Sequence, residues 1–206
     1  EYFSDHEKET VQMYLDATDQ FAKEYLFPHL VEMDRKQPEL INGRICVHPI
    51  HKDIMRISGE NGWISILANK EVGGLQMPSV FSTAASFVLG AANYSGCVFA
   101  GLTMGAAHLI EVFADKKYHD VYLPKMFAGE WQGTMALTEP DAGSSLSDVV
   151  STAEKQDDGT YKMVGQKIFI SCGDSDVVDN VVHLMLARVK GAPAGTKGIS
   201  MFIVPR

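Results

Sequence analysis

The stretch GTMALTEPDAGSSLS, Gly133 to Ser147, lies where the chain changes from helix-like to strand-like patterning. Its apolar run Met135–Leu137 predicts a short buried strand, and Thr138 follows at the strand's end. The next residues are mostly Asp, Gly and Ser, which favour turns and carry short polar groups. Loops at strand ends are where a rigid sheet presents hydrogen-bond donors to a ligand. The stretch therefore raises the question of what it binds.

Upstream of this stretch, apolar residues recur at helical spacing. Ser4 and Glu7 form a predicted capping box at the start of the first helix. One face of that helix carries Val11, Leu15, Thr18, Phe21, Ala22 and Tyr25. Further helices are predicted over residues 49–61, 79–93 and 97–113, and a short one over 121–127 with Pro124 in its first turns. Residues 37–49 are predicted to be a loop.

Downstream, short apolar runs alternate with turn residues, which predicts strands. They are expected over residues 131–138, 147–156, 160–171, 180–189 and 198–206, with Asp157–Gly159 as a hairpin turn. Helices followed by antiparallel strands indicate the α+β class. We expect an N-terminal all-helical domain, residues 1–131, followed by a small antiparallel β-barrel or sandwich domain, residues 132–206.

Composition and charge exclude several classes of protein. The chain has 206 residues, of which 46% are apolar and 21% charged, as in soluble globular proteins. A net charge of −8 argues against nucleic acid as the main partner, because phosphate contacts need clustered Lys and Arg. Three cysteines without CxxC spacing indicate reduced thiols and predict a cytoplasmic protein.

One uncharged segment, residues 72–110, is long enough to span a bilayer. Pro78, Asn93 and many small residues interrupt it, and no aromatic or basic anchors flank it. The segment therefore predicts buried helices of a soluble bundle and no integral membrane span.

Familiar nucleotide, nucleophile and metal motifs are absent from the sequence. It contains no GxGxxG after a strand, no P-loop and no GxSxG elbow. His48 and His51 could share a helix face, but no Cys or carboxylate cluster accompanies them in the sequence, so no metal is expected. His108 lies in an apolar helix and is expected to be a core histidine.

A second stretch, GQKIFISCGDSD, Gly165 to Asp176, is also a predicted strand that runs into a polar loop. Phe169 and Ser171 are two residues apart and would point to the same side of that strand. Two interpretations stay open on spacing alone. Thr138 and Ser171 could cap turns with Phe169 in the core, or the three could face a ligand.

The two stretches, in this order and separated by a hairpin, resemble the signature segments of the acyl-CoA dehydrogenase family. The segments YLPKMFAGEWQGTMALTEP and EVGGLQMP also resemble the family pattern. The resemblance covers nearly the whole chain and is best from Gly73 onward. The sequence after Ile170 is most similar to a large bacterial branch with an extra C-terminal domain, which includes methylmercaptopropionyl-CoA dehydrogenases.

The resemblance implies a set of cofactor-binding residues for FAD. Met135, Leu137 and Thr138 would line the flavin ring, with a hydrogen bond from Thr138. Phe169 and Ile170 would pack at the ring, and the Ser171 hydroxyl would lie near N5. Gly143 would allow a close backbone approach, and Ser144 would reach FAD and also the acyl-CoA substrate. In the family, Asp usually stands at Ser145, Trp at Phe169 and Thr at Ser171.

The resemblance also implies an enzyme that converts an acyl-CoA to the trans-2-enoyl-CoA by α-proton abstraction and β-hydride transfer. The catalytic base belongs to the family's C-terminal helical domain, which we do not find in these residues, so no catalytic residue is expected here and Glu139 is interpreted as structural. The acceptor would be an electron-transfer flavoprotein and the full enzyme a homo-oligomer. There are two alternatives to a dehydrogenase. One is an oxidase or monooxygenase of the same superfamily, and the other is a non-catalytic acyl-CoA-binding remnant.

Overall fold

The computed structural model describes residues 2–3 and 6–206. They form two compact units, a helical unit of Glu1–Gly133 with Asp174–Asn180, and a β unit of Thr134–Gly173 with Val181–Arg206. The segment Asp174–Asn180 therefore joins the helical unit, although the sequence-based division assigned it to the β domain. The predicted cap at Ser4 lies outside the described residues, and the first helix begins at Lys8.

The described part of the helical unit contains five α-helices. They are α1 (Lys8–Phe21), α2 (Leu30–Arg35), α3 (Ile50–Glu60), α4 (Ser79–Phe113) and α5 (Lys116–Phe127). A π turn, Ala22–Leu26, and a 3-10 turn, Phe27–His29, connect α1 to α2. The second predicted helix is confirmed as α3. The short predicted helix is wrong at its start, because α5 begins after Asp115 and Pro124 lies inside it.

The long helix α4 is kinked at Asn93, which has φ −167° and ψ 95°. The prediction of two successive helices is confirmed in this sense. The Asn93 side chain caps the second half, since Oδ1 accepts a hydrogen bond from the Gly96 amide at 3.0 Å. Its Nδ2 donates to the Leu26 carbonyl at 3.2 Å. Among the described residues, α4 is long and apolar enough to cross a membrane. Core helices of soluble proteins can have the same length and composition, so this is weak evidence for a membrane span.

The core of the helical unit forms around Trp63. The rings of Phe21 and Trp63 lie 4.7 Å apart, and the Trp63 indole N–H donates to Thr18 Oγ1 at 3.0 Å. Leu26 and Ile54 are fully buried beside them. The predicted apolar face of α1 is confirmed by this packing. Burial of these large side chains supplies the main stabilisation of the unit.

Two further predictions in the helical unit are wrong. Residues 37–49 are not a simple loop, because β1 (Glu39–Ile41) and β2 (Arg44–Cys46) form an antiparallel hairpin. Its turn is Asn42–Gly43, with φ angles of 51° and 78°, and Asn-Gly is the sequence signal for such a turn. His108 is exposed on α4 and is not a core residue.

The β unit is built on a five-stranded sheet. Its strands are β3 (Trp131–Ala136), β4 (Thr152–Lys155), β5 (Tyr161–Val164), β6 (Asn180–Val189) and β7 (Ile199–Pro205), of which Trp131–Gly133 and Asn180 are grouped with the helical unit. The order is β3-β6-β4-β5, and β7 also pairs with β6. The β4–β5 hairpin is confirmed, with Thr152 opposite Val164. The sequence predicted a wholly antiparallel sheet, but β4 and β6 pair in parallel. Residues 165–179 cross back after β5 and bring β6 beside β4 in the same direction.

Candidate functional site

Residues 134–138 of the first stretch and 168–171 of the second lie side by side in the β unit. Thr134 Oγ1 donates a hydrogen bond to the Ser171 carbonyl at 2.8 Å. The Ile168 amide donates to the Thr138 carbonyl at 3.0 Å. These two bonds hold residues 134–138 against residues 168–171. All of the predicted cofactor residues except Gly143 and Ser144 therefore lie on two adjoining segments, which form the site described below.

The second of these segments is not a strand. The predicted strand over 160–171 ends at Val164, and Phe169 has φ +54°. Gly165 interrupts it with φ +158°, and a Cβ there would lie 2.1 Å from Ser151 Oγ. The expectation that Phe169 and Ser171 share one side of a strand is therefore wrong. Hydrogen bonds to β3 and its end, rather than strand pairing, set their positions.

The site presents apolar and hydroxyl groups to solvent. Phe169 is 87% exposed, and its backbone conformation is uncommon for a bulky residue. Met135 and Ser171 are exposed as well, whereas Leu137, Thr138 and Ile170 are half-buried. The interpretation of Phe169 as a core residue is thus wrong. A flat aromatic face beside hydroxyl donors suits a planar heterocyclic ligand with a polar edge.

The loop after β3 turns tightly before it reaches the two small residues. Glu139 and Ala142 form a two-residue bridge, with the Glu139 amide 2.7 Å from the Ala142 carbonyl. Gly143 follows, and a Cβ there would lie 3.8 Å from Thr138 Cγ2, an ordinary contact distance. The packing of this chain therefore does not itself require glycine. Ser144 is exposed, and the Ser145 and Ser147 hydroxyls lie 3.1 Å apart.

A buried ion pair lies behind the site. Lys167 Nζ is 2.7 Å from Glu139 Oε1 and also donates to the Leu137 carbonyl at 2.9 Å. Burial raises the pKa of Glu139, but hydrogen bonds from Lys167, Ser151 and Val150 outweigh it and lower the pKa well below its ordinary value. The sequence interpretation of Glu139 as structural agrees with this environment. Sequence reasoning missed Lys167, whose signal was a lone lysine within an apolar run.

The helical unit contains a separate cavity of about 350 Å³. Its walls come from α1, α3 and both halves of α4, with Leu102 and Met104 on the second half. The lining is predominantly apolar. The Tyr14 hydroxyl lies at this wall, is buried and has no hydrogen-bond partner among the described residues. The cavity thus suits an apolar group of moderate length.

A histidine and glutamate cluster occurs at the α2 end of the helical unit. Ligand atoms of His29, Glu32 and His48 lie within 4.8 Å of one another. His48 Nδ1 faces the Ile50 amide at 3.3 Å, so its other nitrogen carries the proton towards Glu32. Lys36 also pairs with Glu32. Glu32 is therefore already paired with His48 and Lys36, and we assign no metal to this cluster.

Comparison with known proteins finds two matching family models. Residues 8–130 match the acyl-CoA dehydrogenase N-terminal domain, and residues 134–206 match the acyl-CoA dehydrogenase middle domain. The 3-methylmercaptopropionyl-CoA dehydrogenase of Ruegeria pomeroyi is 37% identical over 204 residues. That alignment covers 99% of this chain and 35% of the relative. The chain therefore spans about a third of that relative's length.

Solved structures show the same fold. An acyl-CoA dehydrogenase from Geobacillus kaustophilus superposes with a TM-score of 0.78 at 25% identity, over 98% of this chain and 49% of that one. An acyl-CoA dehydrogenase from Bacillus anthracis, solved in complex with FAD, gives 0.76 at 23% identity, over 98% of this chain and 32% of that one. The helical region followed by a curled sheet is common to all three.

Proposed function

Because the chain belongs to the acyl-CoA dehydrogenase family, we propose that its two units are the helical and flavin-binding parts of an FAD-dependent acyl-CoA dehydrogenase. The parent enzyme would oxidise an acyl-CoA to its trans-2-enoyl-CoA. When bound, FAD supplies the acceptor for the hydride that leaves the β-carbon. The observation that carries this proposal is the pairing of the two signature segments, which leaves Phe169 and Ser171 exposed.

The residues at this site fit a flavin. Phe169 has little packing against its own chain, and its exposed face can pack on a planar ring. Thr138 and Ser171 supply hydroxyl donors, which stabilise negative charge on the polar edge of a reduced flavin. Met135, Leu137 and Ile170 would complete the apolar contact. Gly143 and Ser144 would meet the cofactor from the following loop, with Ser144 also reaching the acyl-CoA.

We propose that the acyl chain enters the cavity of the helical unit. The apolar lining of this cavity and its volume of about 350 Å³ support this placement of the acyl chain. Leu102 and Met104 would then influence the preferred chain length. Substitutions at these two positions that leave the acyl-chain preference unchanged would count against this placement.

The catalytic base and the electron acceptor are not supplied by the residues of this site. Glu139 is unsuited to act as the α-proton base, because it is buried and already pairs with Lys167. We propose that the base comes from a region beyond these residues and that an electron-transfer flavoprotein accepts the electrons. We also propose a cytoplasmic homo-oligomer.

An absorbance spectrum after incubation with FAD and gel filtration tests this function. We expect the flavin band to stay with the protein and to weaken in Thr138→Ala and Ser171→Ala, since each removes one donor. Ser200→Ala, an exposed serine on β7, is the matched control. If the chain stays colourless even when extended to the length of its relatives, the flavin assignment is wrong. Oxygen consumption without an added acceptor would identify an oxidase instead.

A further inference from the structure

The ion pair between Glu139 and Lys167 connects the two signature segments of the β unit. The Glu139 side chain is 1% exposed and that of Lys167 7% exposed, and their charged atoms lie 2.7 Å apart. Twenty-eight residues of sequence separate them. Charged side chains are rarely buried this completely unless they are paired.

Backbone groups complete the hydrogen bonding of the pair. Glu139 accepts from the Val150 amide at 2.7 Å and from the Ser151 amide at 3.1 Å. Lys167 Nζ donates to the Leu137 carbonyl at 2.9 Å as well as to Glu139. The pair therefore ties together three backbone segments, at residues 137–139, 150–151 and 167.

Each partner is adjacent in sequence to residues of the proposed flavin site. Leu137 and Thr138 immediately precede Glu139, and Ile168 and Phe169 immediately follow Lys167. The Ile168 amide donates to the Thr138 carbonyl at 3.0 Å, directly beside the contact of Lys167 with Leu137. A shift of Lys167 would therefore move the irregular segment that carries Phe169, which no strand pairing restrains.

We propose that Glu139 and Lys167 are positioning residues, which set the spacing between Thr138 on one segment and Phe169 on the other. The proposal rests on the flavin-binding function given above. Buried ion pairs add little net stability compared with apolar residues of the same size, because both charges must leave water. Their effect on the placement of neighbouring groups is the feature that an apolar replacement would not reproduce.

Single and double substitutions separate positioning from stability. Lys167→Met leaves the Glu139 carboxylate buried and unpaired, so we expect a large loss of stability. The double variant Glu139→Gln/Lys167→Met has no buried charge, and the glutamine oxygen can still accept from Val150 and Ser151. We expect the double variant to regain most of its melting temperature.

Amide hydrogen exchange of the FAD-free chain is the first readout. In the double variant we expect the segment 165–173 to exchange at least about tenfold faster than in the parent, while β6 and β7 are unchanged. A tenfold increase in exchange rate corresponds to a decrease in the free energy of local opening by about the contribution of one hydrogen bond. Parent-like exchange in a double variant that melts like the parent would overturn the proposal.

FAD affinity is the second readout. We expect the dissociation constant of the double variant to rise about tenfold, although its melting temperature is restored. Unchanged affinity would overturn the proposal. If the parent chain binds no FAD even when extended to the length of its relatives, the proposed function is wrong, but the exchange experiment would still decide whether the pair positions the segment.

The matched control is the exposed ion pair of Lys190 and Glu154 in the same unit, at 2.8 Å with side chains 68% and 52% exposed. Glu154→Gln/Lys190→Met removes two charges of the same kinds without touching the site. We expect it to change neither the exchange of residues 165–173 nor the affinity for FAD. A change in either quantity would show that the loss of any ion pair in this unit, rather than the position of the buried pair, explains the effect.

Discussion

Burial changes the chemistry of His51 in the helical unit. The residue is 5% exposed, and its ring lies 4.5 Å from that of Phe99. Burial lowers the pKa of His51 to about 4, a shift that the charge of His48 increases and that of Asp176 opposes. Because its Nδ1 is buried without a partner among the described residues, the folded protein favours the neutral ring.

We predict that His51 makes stability depend on pH between its unfolded pKa of 6.5 and its folded pKa of about 4. The unfolded chain binds a proton in this range and the folded chain does not. The contribution of His51 to the free energy of unfolding is therefore fully present above pH 6.5. It is lost as the pH is lowered towards about 4, by on the order of 3 kcal/mol. Urea unfolding at several pH values measures this slope.

His51→Leu should flatten that slope, because the leucine cannot take up a proton. His108→Gln is the comparison variant, since it removes an imidazole that is exposed on α4. A slope in His51→Leu equal to that of the parent would show that another group is responsible.

At the scale of elements, the kink in α4 depends on one side chain. Asn93 provides both the cap on the Gly96 amide and a donor to the Leu26 carbonyl. We predict that Asn93→Ala lowers the free energy of unfolding by about 1–2 kcal/mol, because a cap is lost and a buried carbonyl loses its donor. Thermal and urea unfolding measure the change.

Asn93→Asp keeps the capping oxygen but buries an unpaired carboxylate beside the Leu26 carbonyl, so it should be no more stable than Asn93→Ala. Ser95→Ala, two residues further along the helix and exposed, should have little effect. If Asn93→Ala is as stable as Ser95→Ala, the side chain does not hold the kink.

The sequence predicted elements whose patterns are local. The apolar face of α1, the break near Asn93 and strand β6 were all visible in the order of residues. The segment 165–171 was predicted wrongly, because its apolar run resembles a strand. Its conformation instead depends on Ser151, Thr138 and Thr134, which lie 14 or more residues earlier. The Glu139–Lys167 pair was missed for the same reason.

At the scale of the whole molecule, the chain returns to the helical unit after it has entered the β unit. Asp176 secures this return, since Oδ1 accepts from the Val47 amide at 3.2 Å and Oδ2 lies 3.6 Å from Lys52 Nζ. The Arg44 side chain also donates to the Ser175 carbonyl at 3.3 Å. These contacts make the segment Asp174–Asn180 part of the helical unit's structure.

We predict that Asp176→Ala destabilises the helical unit by about 1–2 kcal/mol, because it removes an acceptor and an ion-pair partner. Asp176→Asn should lose less. Tryptophan fluorescence during urea unfolding is a suitable measurement, since Trp63 and Trp131 both belong to the helical unit. Asp157→Ala, in the exposed β4–β5 turn, is the control, and an equal effect of the two alanine substitutions would contradict the prediction.

The return of Asp174–Asn180 limits how this protein can be recombined with its relatives. The two family models meet near residues 130–134, which suggests a single splice point for a chimera. A graft made there would also carry a foreign version of this seven-residue segment into the helical host. Chimeras should therefore keep the host's own residues 174–180, with three junctions in place of one. Residues 1–133 and 174–180 therefore need to be exchanged together, as do residues 134–173 and 181–206.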